Sequence, residues 1–265
     1  MIDKGQLLSI SGSTGDTRLV EKDYLLMLLL YYISKTGSDM VFKGGTALKM
    51  FYNLNRASED LDFSYIYPAS SLDRNREATV ILERVLKEFN LQYRLHKKDI
   101  RTKKQGTEFI GINYEIAVAG PLYDDRKQLQ NINMDVSLRE DAILPPKILY
   151  ITPLYPDIPT FSVAVMDLNE ILAEKICAIT ERDKIRDTYD VYFILKHKGI
   201  KYDGQLVKKK MELRGEHFDI QELINTLHDI DAKKWKSELY YLVHDLPSHL
   251  EVIGYLAKLL TGSDV

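Results

Sequence analysis

The sequence is poor in cysteine and in long apolar runs, and each shortage excludes a class of protein. Its single cysteine, Cys177, excludes an internal disulfide framework and a zinc site built from several cysteines. The longest apolar run, 25–33, is too short to cross a bilayer, which takes roughly 20 residues. The start, MIDKGQLLSI, lacks a basic region followed by an apolar stretch, so no signal peptide and a cytoplasmic location are expected.

The chain also lacks an excess of positive charge. Its 36 Lys/Arg and 39 Asp/Glu give a formal net charge of −3, so binding of nucleic acid would depend on local basic clusters. Three segments are candidates for RNA contact through phosphates, or else are solvated surface. They are 96–104 (HKKDIRTKK), 208–210 (KKK) and 233–236, where Trp235, the sole tryptophan, is a candidate for base stacking.

Periodicity divides the chain into two parts. We predict an α+β domain over 1–165, with a mixed β-sheet flanked by helices, and a helical domain over 166–265 that begins at an Asp-x-x-Glu capping box, Asp167–Glu170. A loop is expected at 11–15, helices at 20–34, 46–53 and 71–89 (capped by Ser71), and strands at 40–42, 61–66, 91–96, 107–119, 131–138 and 163–166.

Two aspartates stand two residues apart in one predicted strand. The carboxylates of Asp60 and Asp62 would lie on one face, with Leu61 on the other. Like charges this close are costly unless a cation neutralises them, and Mg²⁺ binds carboxylates while leaving positions for substrate phosphates. The pair therefore indicates a divalent-metal site for phosphoryl chemistry; the alternative is a solvated strand end.

A glycine turn precedes the acids. Gly44 and Gly45 let the backbone approach a phosphate closely, and Thr46 opens a predicted helix whose first N–H groups favour anions. The Walker spacing is absent, so we interpret the turn, with Lys43 beside it, as a nucleotide site of another kind.

Three more polar residues are candidates for the same site. Arg56 and Ser58 come shortly before the acids, and Asp135 lies in another predicted strand. If that strand is adjacent, Asp135 becomes a third metal ligand; the alternative is that these are surface residues.

The helix predicted from Asp167 carries a lysine in its apolar face. At about 100° per residue, Lys175 shares that face with Ile171 and Leu172. A lysine there snorkels or meets an anion, so Lys175 is a candidate for neutralising a triphosphate, with Arg182 projecting at a similar angle.

The following helix supplies candidate partners for that lysine. Asp187 and Asp190 are three residues apart and share a face, so either carboxylate could fix Lys175 or Arg182. For Asp187 the alternative is a helix-start acid that the macrodipole favours.

Five segments carry a family resemblance: VEKDYLL, FKGGTAL, RASEDLDFS, LAEKICAI and RDTYDVY. Together they resemble the AbiEii-type nucleotidyltransferase toxin family, within the DNA polymerase β-like nucleotidyltransferase superfamily. The resemblance covers about residues 20–195 and has threonine, Thr46, where the family's turn often has serine. It implies a nucleotidyltransferase-type sheet domain followed by a helical domain that contributes Lys175 and Asp190 to the cleft.

Residues and resemblance together give a set of predicted roles. The predicted catalytic residues are Asp60, Asp62, Lys175, Asp190 and Ser58; the nucleotide- or phosphate-binding residues are Lys43, Gly44, Gly45, Thr46, Arg56 and Arg182; the metal ligands are Asp60, Asp62 and Asp135; and Asp187 is the substitute candidate for Asp190.

The resemblance also implies a function. It implies a Mg²⁺- or Mn²⁺-dependent toxin of a toxin–antitoxin or abortive-infection system that transfers NMP from an NTP, with the tRNA 3′ end as first candidate acceptor and a winged-helix antitoxin as partner. No membrane partner is expected. The alternatives are a metal-dependent nuclease, transfer to a protein or small-molecule acceptor, and a nucleotide sensor without catalysis.

Overall fold

The computed structural model describes residues 2–11, 16–66, 70–124 and 129–262. The chain divides into two compact units, one comprising Met1–Ala47 and Glu59–Val165 and the other Leu48–Ser58 and Met166–Val265. The short segment Leu48–Ser58 therefore belongs with the C-terminal helices, although the sequence analysis placed it in the sheet domain.

The first unit is built on a seven-stranded mixed sheet. Its strand order is β3-β4-β5-β2-β1-β7-β6, and the β2–β5 and β1–β7 pairs are parallel whereas the others are antiparallel. The strands are β1 (Met40–Lys43), β2 (Asp60–Tyr65), β3 (Leu95–Gln105), β4 (Glu108–Val118), β5 (Gln130–Asp141), β6 (Lys147–Ile151) and β7 (Phe161–Val165). The helices are α1 (Lys4–Ser11), α2 (Thr17–Ser34), α3 (Gly44–Tyr52, which continues into the second unit) and α4 (Ser71–Asn90).

Alternation along the central strands gives the sheet one apolar and one polar face. Leu61 and Phe63 of β2 and Met134 and Val136 of β5 are no more than 1% exposed. These side chains form a core with α2 and α4, which pack against the sheet. The apolar run 25–33 lies in α2, and all of its residues except Tyr31 are buried, so the run belongs to the core of this unit.

The C-terminal helices of the second unit begin at a side-chain cap. Asp167 is the N-cap of α5, as predicted, and its carboxylate accepts a hydrogen bond from the backbone N–H of Asn169. Glu170, the other residue of the predicted capping box, is paired with Lys210. The helices are α5 (Leu168–Glu181), α6 (Ile185–His197), α7 (Gly204–Leu213), α8 (Ile220–His228), α9 (Ala232–Leu239) and α10 (His249–Leu260). Among the described residues, no helix has the length and apolar character needed to cross a membrane.

The predicted fold class is confirmed, and its errors are local. The sequence analysis missed α1 and β6, and it predicted a strand at 91–96, whereas β3 begins at Leu95 and continues to Gln105. The cap of α4 is Ser70, whose hydroxyl accepts from the N–H of Asp73, one residue before the predicted cap Ser71. The loop predicted at 11–15 lies, from residue 12 onward, outside the described residues.

One predicted RNA contact is instead part of the core. Lys210 of α7 is 0% exposed, and its ammonium lies 2.6 Å from Glu170 and 3.0 Å from Glu174 of α5. The prediction that 208–210 forms a surface patch is therefore wrong at Lys210, because its side chain points into the helix interface. A buried cation paired with two acids ties α7 to α5.

Replacing Lys210 should destabilise this unit strongly. The Lys210→Met change keeps the length of the side chain but leaves two carboxylates without their cation, which costs roughly 3–5 kcal/mol. The exposed neighbour Lys209 is the matched control, and Lys209→Met should stay within about 0.5 kcal/mol of wild type. Urea unfolding measures both free energies, and equal stability of the two variants would contradict the role given to Lys210.

Candidate active site

The sheet register brings three aspartates together. In the parallel β2–β5 pair, Asp60 is opposite Asn133 and Asp62 is opposite Asp135. Opposite residues of neighbouring strands project from the same face, so all three carboxylates stand on the polar face of the sheet. The side-chain amide of Asn133 donates to Oδ1 of Asp60 at 3.1 Å and so orients that carboxylate. The adjacent strand that would place Asp135 beside the pair is present.

The glycine turn touches the central acid. β1 pairs with β2 so that Lys43 is opposite Asp62, and Gly44 follows with a φ of +77°. A Cβ on Gly44 would lie 2.9 Å from Cγ of Asp62 and closer still to its Oδ2. Only glycine suits both the backbone angle and this contact, because any side chain would displace the carboxylate.

Thr46 holds the turn in place. Its hydroxyl donates to the backbone carbonyl of Asp60 at 2.5 Å, and the residue is 1% exposed. The side chain therefore fastens the first turn of α3 to β2. Ser58 is half-buried and stands two residues before Asp60 in the chain.

The donor set fits a hard divalent cation that is shared with a substrate. Mg²⁺ is bound through one or two carboxylates and completed by water and phosphate oxygens, and Asp60 and Asp62 offer such carboxylates. Within the described ranges, no three or more His, Cys, Asp or Glu side chains are gathered as a metal cage. The ammonium of Lys103 lies 3.4 Å from Oδ1 of Asp135 and gives that acid a counter-ion within the chain.

A second group of charges is buried in the helical unit, around two acids of α6. Asp190 accepts from Nε and Nη2 of Arg56 at 2.6 and 2.7 Å, and the ammonium of Lys175 lies 2.8 Å from its Oδ2. Asp187 accepts from Lys175 at 2.8 Å and from Arg182 at 2.9 and 3.1 Å. Lys175 thus bridges two carboxylates that are each also held by an arginine, and this network carries one more cation than anions.

These charges keep one another ionised. Burial alone would raise the pKa of Asp187, but the charges of Lys175 and Arg182 lower it to about 2. Burial opposes the charge of Asp190 in the same way, and Arg56 and Lys175 hold its pKa below the usual value. For Lys175 burial would lower the pKa, yet Asp190 and Asp187 raise it overall. The network therefore stays fully charged at neutral pH.

The structure places Arg56 differently from the predicted phosphate ligand. Its side chain is 2% exposed, and Nη1 donates to the carbonyl of Ala57 at 2.8 Å while the other nitrogens hold Asp190. Arg56 is thus a positioning residue for Asp190. The sequence feature that could have indicated this role of Arg56 was the pair of acids on the apolar stripe of α6, since two buried carboxylates need more than one cation. Arg182, whose side chain is 46% exposed, is the member of the network that reaches the surface.

The other two predicted RNA segments differ in outcome. The segment 96–104 lies in the exposed strand β3, where Lys98 pairs with Glu83 at 2.7 Å and Arg101 with Asp99 at 2.7 Å, and its contact with RNA stays a prediction. Trp235 is 3% exposed, and its indole N–H donates to the carbonyl of Pro247 at 3.0 Å. The prediction that Trp235 stacks on a base is wrong for this structure, because its ring is in the core.

Comparison with known proteins gives an independent result. The profile described as "Nucleotidyl transferase AbiEii toxin, Type IV TA system" matches residues 28–252. The structure resembles MenT4, a nucleotidyltransferase toxin of Mycobacterium tuberculosis H37Rv, with 17% identity, coverage of 100% of this chain and 91% of that chain, and a TM-score of 0.64. It also resembles JHP933 of Helicobacter pylori, with 21% identity, coverage of 94% and 92%, and a TM-score of 0.56. The two structures show the shared fold, and no individually curated protein matches the sequence.

The contact between Gly44 and Asp62 predicts a specific sensitivity. Gly44→Ala must adopt a positive φ, at about 1–2 kcal/mol, and must also displace the carboxylate. Gly106→Ala is the matched control, because Gly106 has a φ of +60° and a Cβ added to it would meet nothing within 4 Å. We expect thermal unfolding to show a larger loss for Gly44→Ala than for Gly106→Ala. Equal losses of stability in the two variants would show that the contact with Asp62 does not affect the stability of the fold.

The charge network predicts a loss of stability in acid. The folded pKa of Asp187 is about 2 against roughly 3.9 unfolded, so its contribution is present above about pH 4 and is lost as pH falls toward 2. The stability gap between wild type and Asp187→Asn should therefore shrink by roughly 2–3 kcal/mol between pH 6 and pH 2. Chemical denaturation at several pH values measures it, with the exposed Asp229→Asn as control. A gap that stays constant with pH would contradict the assignment.

Proposed function

The chain belongs to the AbiEii family of nucleotidyltransferase toxins of type IV toxin–antitoxin systems, and on that premise we propose that it transfers NMP from an NTP to the 3′ end of tRNA in a Mg²⁺-dependent reaction. Membership of the family supports an NTP substrate and an antitoxin partner. For the antitoxin we propose a winged-helix protein, on the family resemblance alone.

One observation carries the proposal: Asp62 stands between a glycine turn and a second strand acid. Gly44 lies against its carboxylate on the β1 side, and Asp135 is its register partner on the β5 side. Asp60 and Asp62 would hold the divalent cation, with Asp135 as the third candidate ligand. A cation bound there supplies charge neutralisation for the triphosphate, which the acids alone would repel.

The residues of the turn bind and orient the nucleotide in this proposal. Backbone N–H groups of Gly44, Gly45 and Thr46 at the start of α3 contact the β- and γ-phosphates, because the first turn of a helix favours anions. Lys43, opposite Asp62 in the register, adds positive charge beside them. The Thr46 side chain keeps the turn at a fixed position on β2.

The transfer itself balances as a displacement at phosphorus. The acceptor hydroxyl oxygen forms a bond to the α-phosphorus, the bond from that phosphorus to the bridging oxygen breaks, and pyrophosphate leaves. Asp135 accepts the hydroxyl proton, while Asn133 holds the carboxylate of Asp60 in place. For Ser58 we propose a supporting catalytic role, on the family resemblance alone. Most of the acceleration then comes from positioning and charge stabilisation.

We assign the buried network to the charge that develops on the leaving group. Lys175 is the proposed cation, Asp190 and Asp187 fix its position, and Arg182 is the exposed member that binds phosphate. Since Asp187 and Asp190 lie equally close to Lys175, at 2.8 Å, both acids belong in this role.

The alternative functions differ in which residues of the candidate site they leave without a role. A metal-dependent nuclease would use the acids but has no task for the glycine turn, and membership of the family favours the transferase. Transfer to a protein or a small molecule would use the same groups. The acceptor must therefore be identified by experiment.

Labelling separates these outcomes. The protein is incubated with each labelled NTP in turn, total cellular extract and Mg²⁺; we expect the label in RNA of tRNA size and none after chelation by EDTA. Asp60→Asn should reduce labelling on the order of 100-fold or more, because a carboxylate that holds the cation is gone. The matched control is Asp229→Asn, an exposed acid at the C-terminal end of α8.

Three results would contradict the proposal. If the Asp60→Asn variant labelled RNA at the same rate as wild type, Asp60 would have no role in the mechanism. Label found only in protein or small molecules would reject the tRNA acceptor while keeping the transferase. RNA that is shortened without NTP would indicate the nuclease.

A further inference from the structure

The polar face of the sheet continues past the strand acids onto β4 and the edge strand β3. The register sets one row across β2, β5, β4 and β3, which consists of Asp62, Asp135, Asn113 and Arg101. Opposite residues of neighbouring strands project from the same face, so the face that carries the acids extends to the edge of the sheet. Asn113 and Asp135 are half-buried, so a ligand can reach this part of the face.

Three cations of β3 stand on this acid side of the sheet. Residues two apart on a strand share a face, so Lys97 and Lys103 project on the same side as Arg101. All three side chains belong to exposed residues. Together, Lys97, Arg101 and Lys103 form a basic surface along the edge of the face that carries the acids.

Lys103 connects this basic surface to the acids. Its ammonium lies 3.4 Å from Oδ1 of Asp135, although β4 separates the two strands. The side chain can cross β4 because Gly111 is opposite Lys103, and even a Cβ added to that glycine would lie 3.8 Å from Cδ of the lysine. A cation that is 58% exposed is thereby held at the acid that the proposed mechanism assigns to the acceptor hydroxyl.

The opposite face of β3 serves the fold instead. Alternation places Lys98 on the side away from Lys97, and its ammonium pairs with Glu83 of α4 at 2.7 Å. Because α4 packs against the apolar face of the sheet, Lys98 stands on the far side from Asp135. The predicted RNA segment 96–104 is therefore divided between two faces, and one of them adjoins the acids.

The basic surface suits a phosphate backbone. Lys97 and Lys103 are six residues apart in an extended strand, which spans about 20 Å. Proteins bind single-stranded RNA along such a line of cations because each nucleotide brings one phosphate. Asp99 and Glu115 pair with Arg101 at 2.7 and 3.2 Å on this side. Exposed pairs of this kind contribute little to stability, so a phosphate can replace the carboxylates.

We propose that the basic surface binds the phosphates of the acceptor RNA, which runs along β3 and ends at Asp135. This step rests on the proposed function, in which Asp135 meets the acceptor hydroxyl. Lys103 binds the phosphate nearest the terminal nucleotide and exchanges its carboxylate partner for that phosphate. Since β1 and β5 pair with opposite edges of β2, the glycine turn and the basic surface lie on opposite sides of the acids. NTP and acceptor therefore approach the acids from different sides.

The salt dependence of RNA binding tests the proposal without turnover. The probe is a single-stranded RNA hexamer with a 5′ fluorescein and a free 3′ hydroxyl, followed by anisotropy at several salt concentrations with EDTA and without NTP. Each phosphate contact to a single strand contributes about −0.7 to the slope of log K against log salt. Lys97→Gln and Lys103→Gln should each reduce the steepness of that slope by about 0.7 and weaken binding about fivefold at about 0.1 M salt.

Two control variants separate the charge on the acid side from other effects. Lys98→Gln removes a cation of the same strand from the opposite face, so its slope and affinity should match those of wild type. Lys103→Arg keeps the charge and should keep the slope. Circular dichroism checks that each variant is folded.

The outcomes separate this proposal from the proposed function. If Lys97→Gln and Lys103→Gln reduce the slope while wild type labels no RNA, the RNA-binding surface stands and the tRNA acceptor is rejected. If wild type does label tRNA, Lys103→Gln should raise the KM for tRNA and leave the KM for NTP unchanged. Wild type that fails to bind the hexamer, or lysine variants that keep the slope of wild type, would overturn the surface even where tRNA is labelled. An equal loss in Lys98→Gln would also overturn it, because that lysine stands on the opposite face.

Discussion

The close approach of Gly44 to the carboxylate of Asp62 is the constraint on which the candidate site depends. A side chain at Gly44 would occupy the space of that carboxylate, so the turn and the acid determine each other's position. The hydroxyl of Thr46 fixes the same turn to the backbone at Asp60. The strand register then adds Asp135 on the other side. In the proposed reaction, the N–H groups at the start of α3 bind phosphate and the acids of β2 and β5 bind the cation, and these contacts keep the two sets of groups close together.

The charges of the helical unit follow a different rule. Asp187 and Asp190 have no exposure to solvent, and such acids are tolerated only when cations and hydrogen bonds offset their desolvation. Arg56, Lys175 and Arg182 do so with an excess of positive charge, so the network can hold Lys175 rigidly without neutralising it. A second buried group consists of Lys210, Glu170 and Glu174, so it has two acids for one cation. The first network suits binding of an anion, whereas the second suits packing of α7 on α5.

Local sequence rules were sufficient for the acids and the turn and insufficient for the partners. Alternation predicted that Asp60 and Asp62 share a face, and helical period predicted that Lys175 lies in an apolar stripe, because both depend on neighbours along the chain. Arg56 and its partner Asp190 are 134 residues apart in the chain, and Lys210 and its partner Glu170 are 40 apart, so no local sequence pattern predicts either pair. The prediction for Trp235 was wrong for the same reason: a tryptophan between lysines is typical of a surface segment, but this side chain lies in the core.

Binding of a divalent cation tests the central claim most directly. Mn²⁺ is titrated into the protein with a non-hydrolysable NTP analogue and followed by electron paramagnetic resonance, for wild type and for Asp62→Asn. The account predicts that wild type binds the ion and that Asp62→Asn, with unchanged circular dichroism, loses at least about tenfold in affinity. Equal Mn²⁺ affinity of the two proteins would show that the acids beside the glycine turn do not form the metal site.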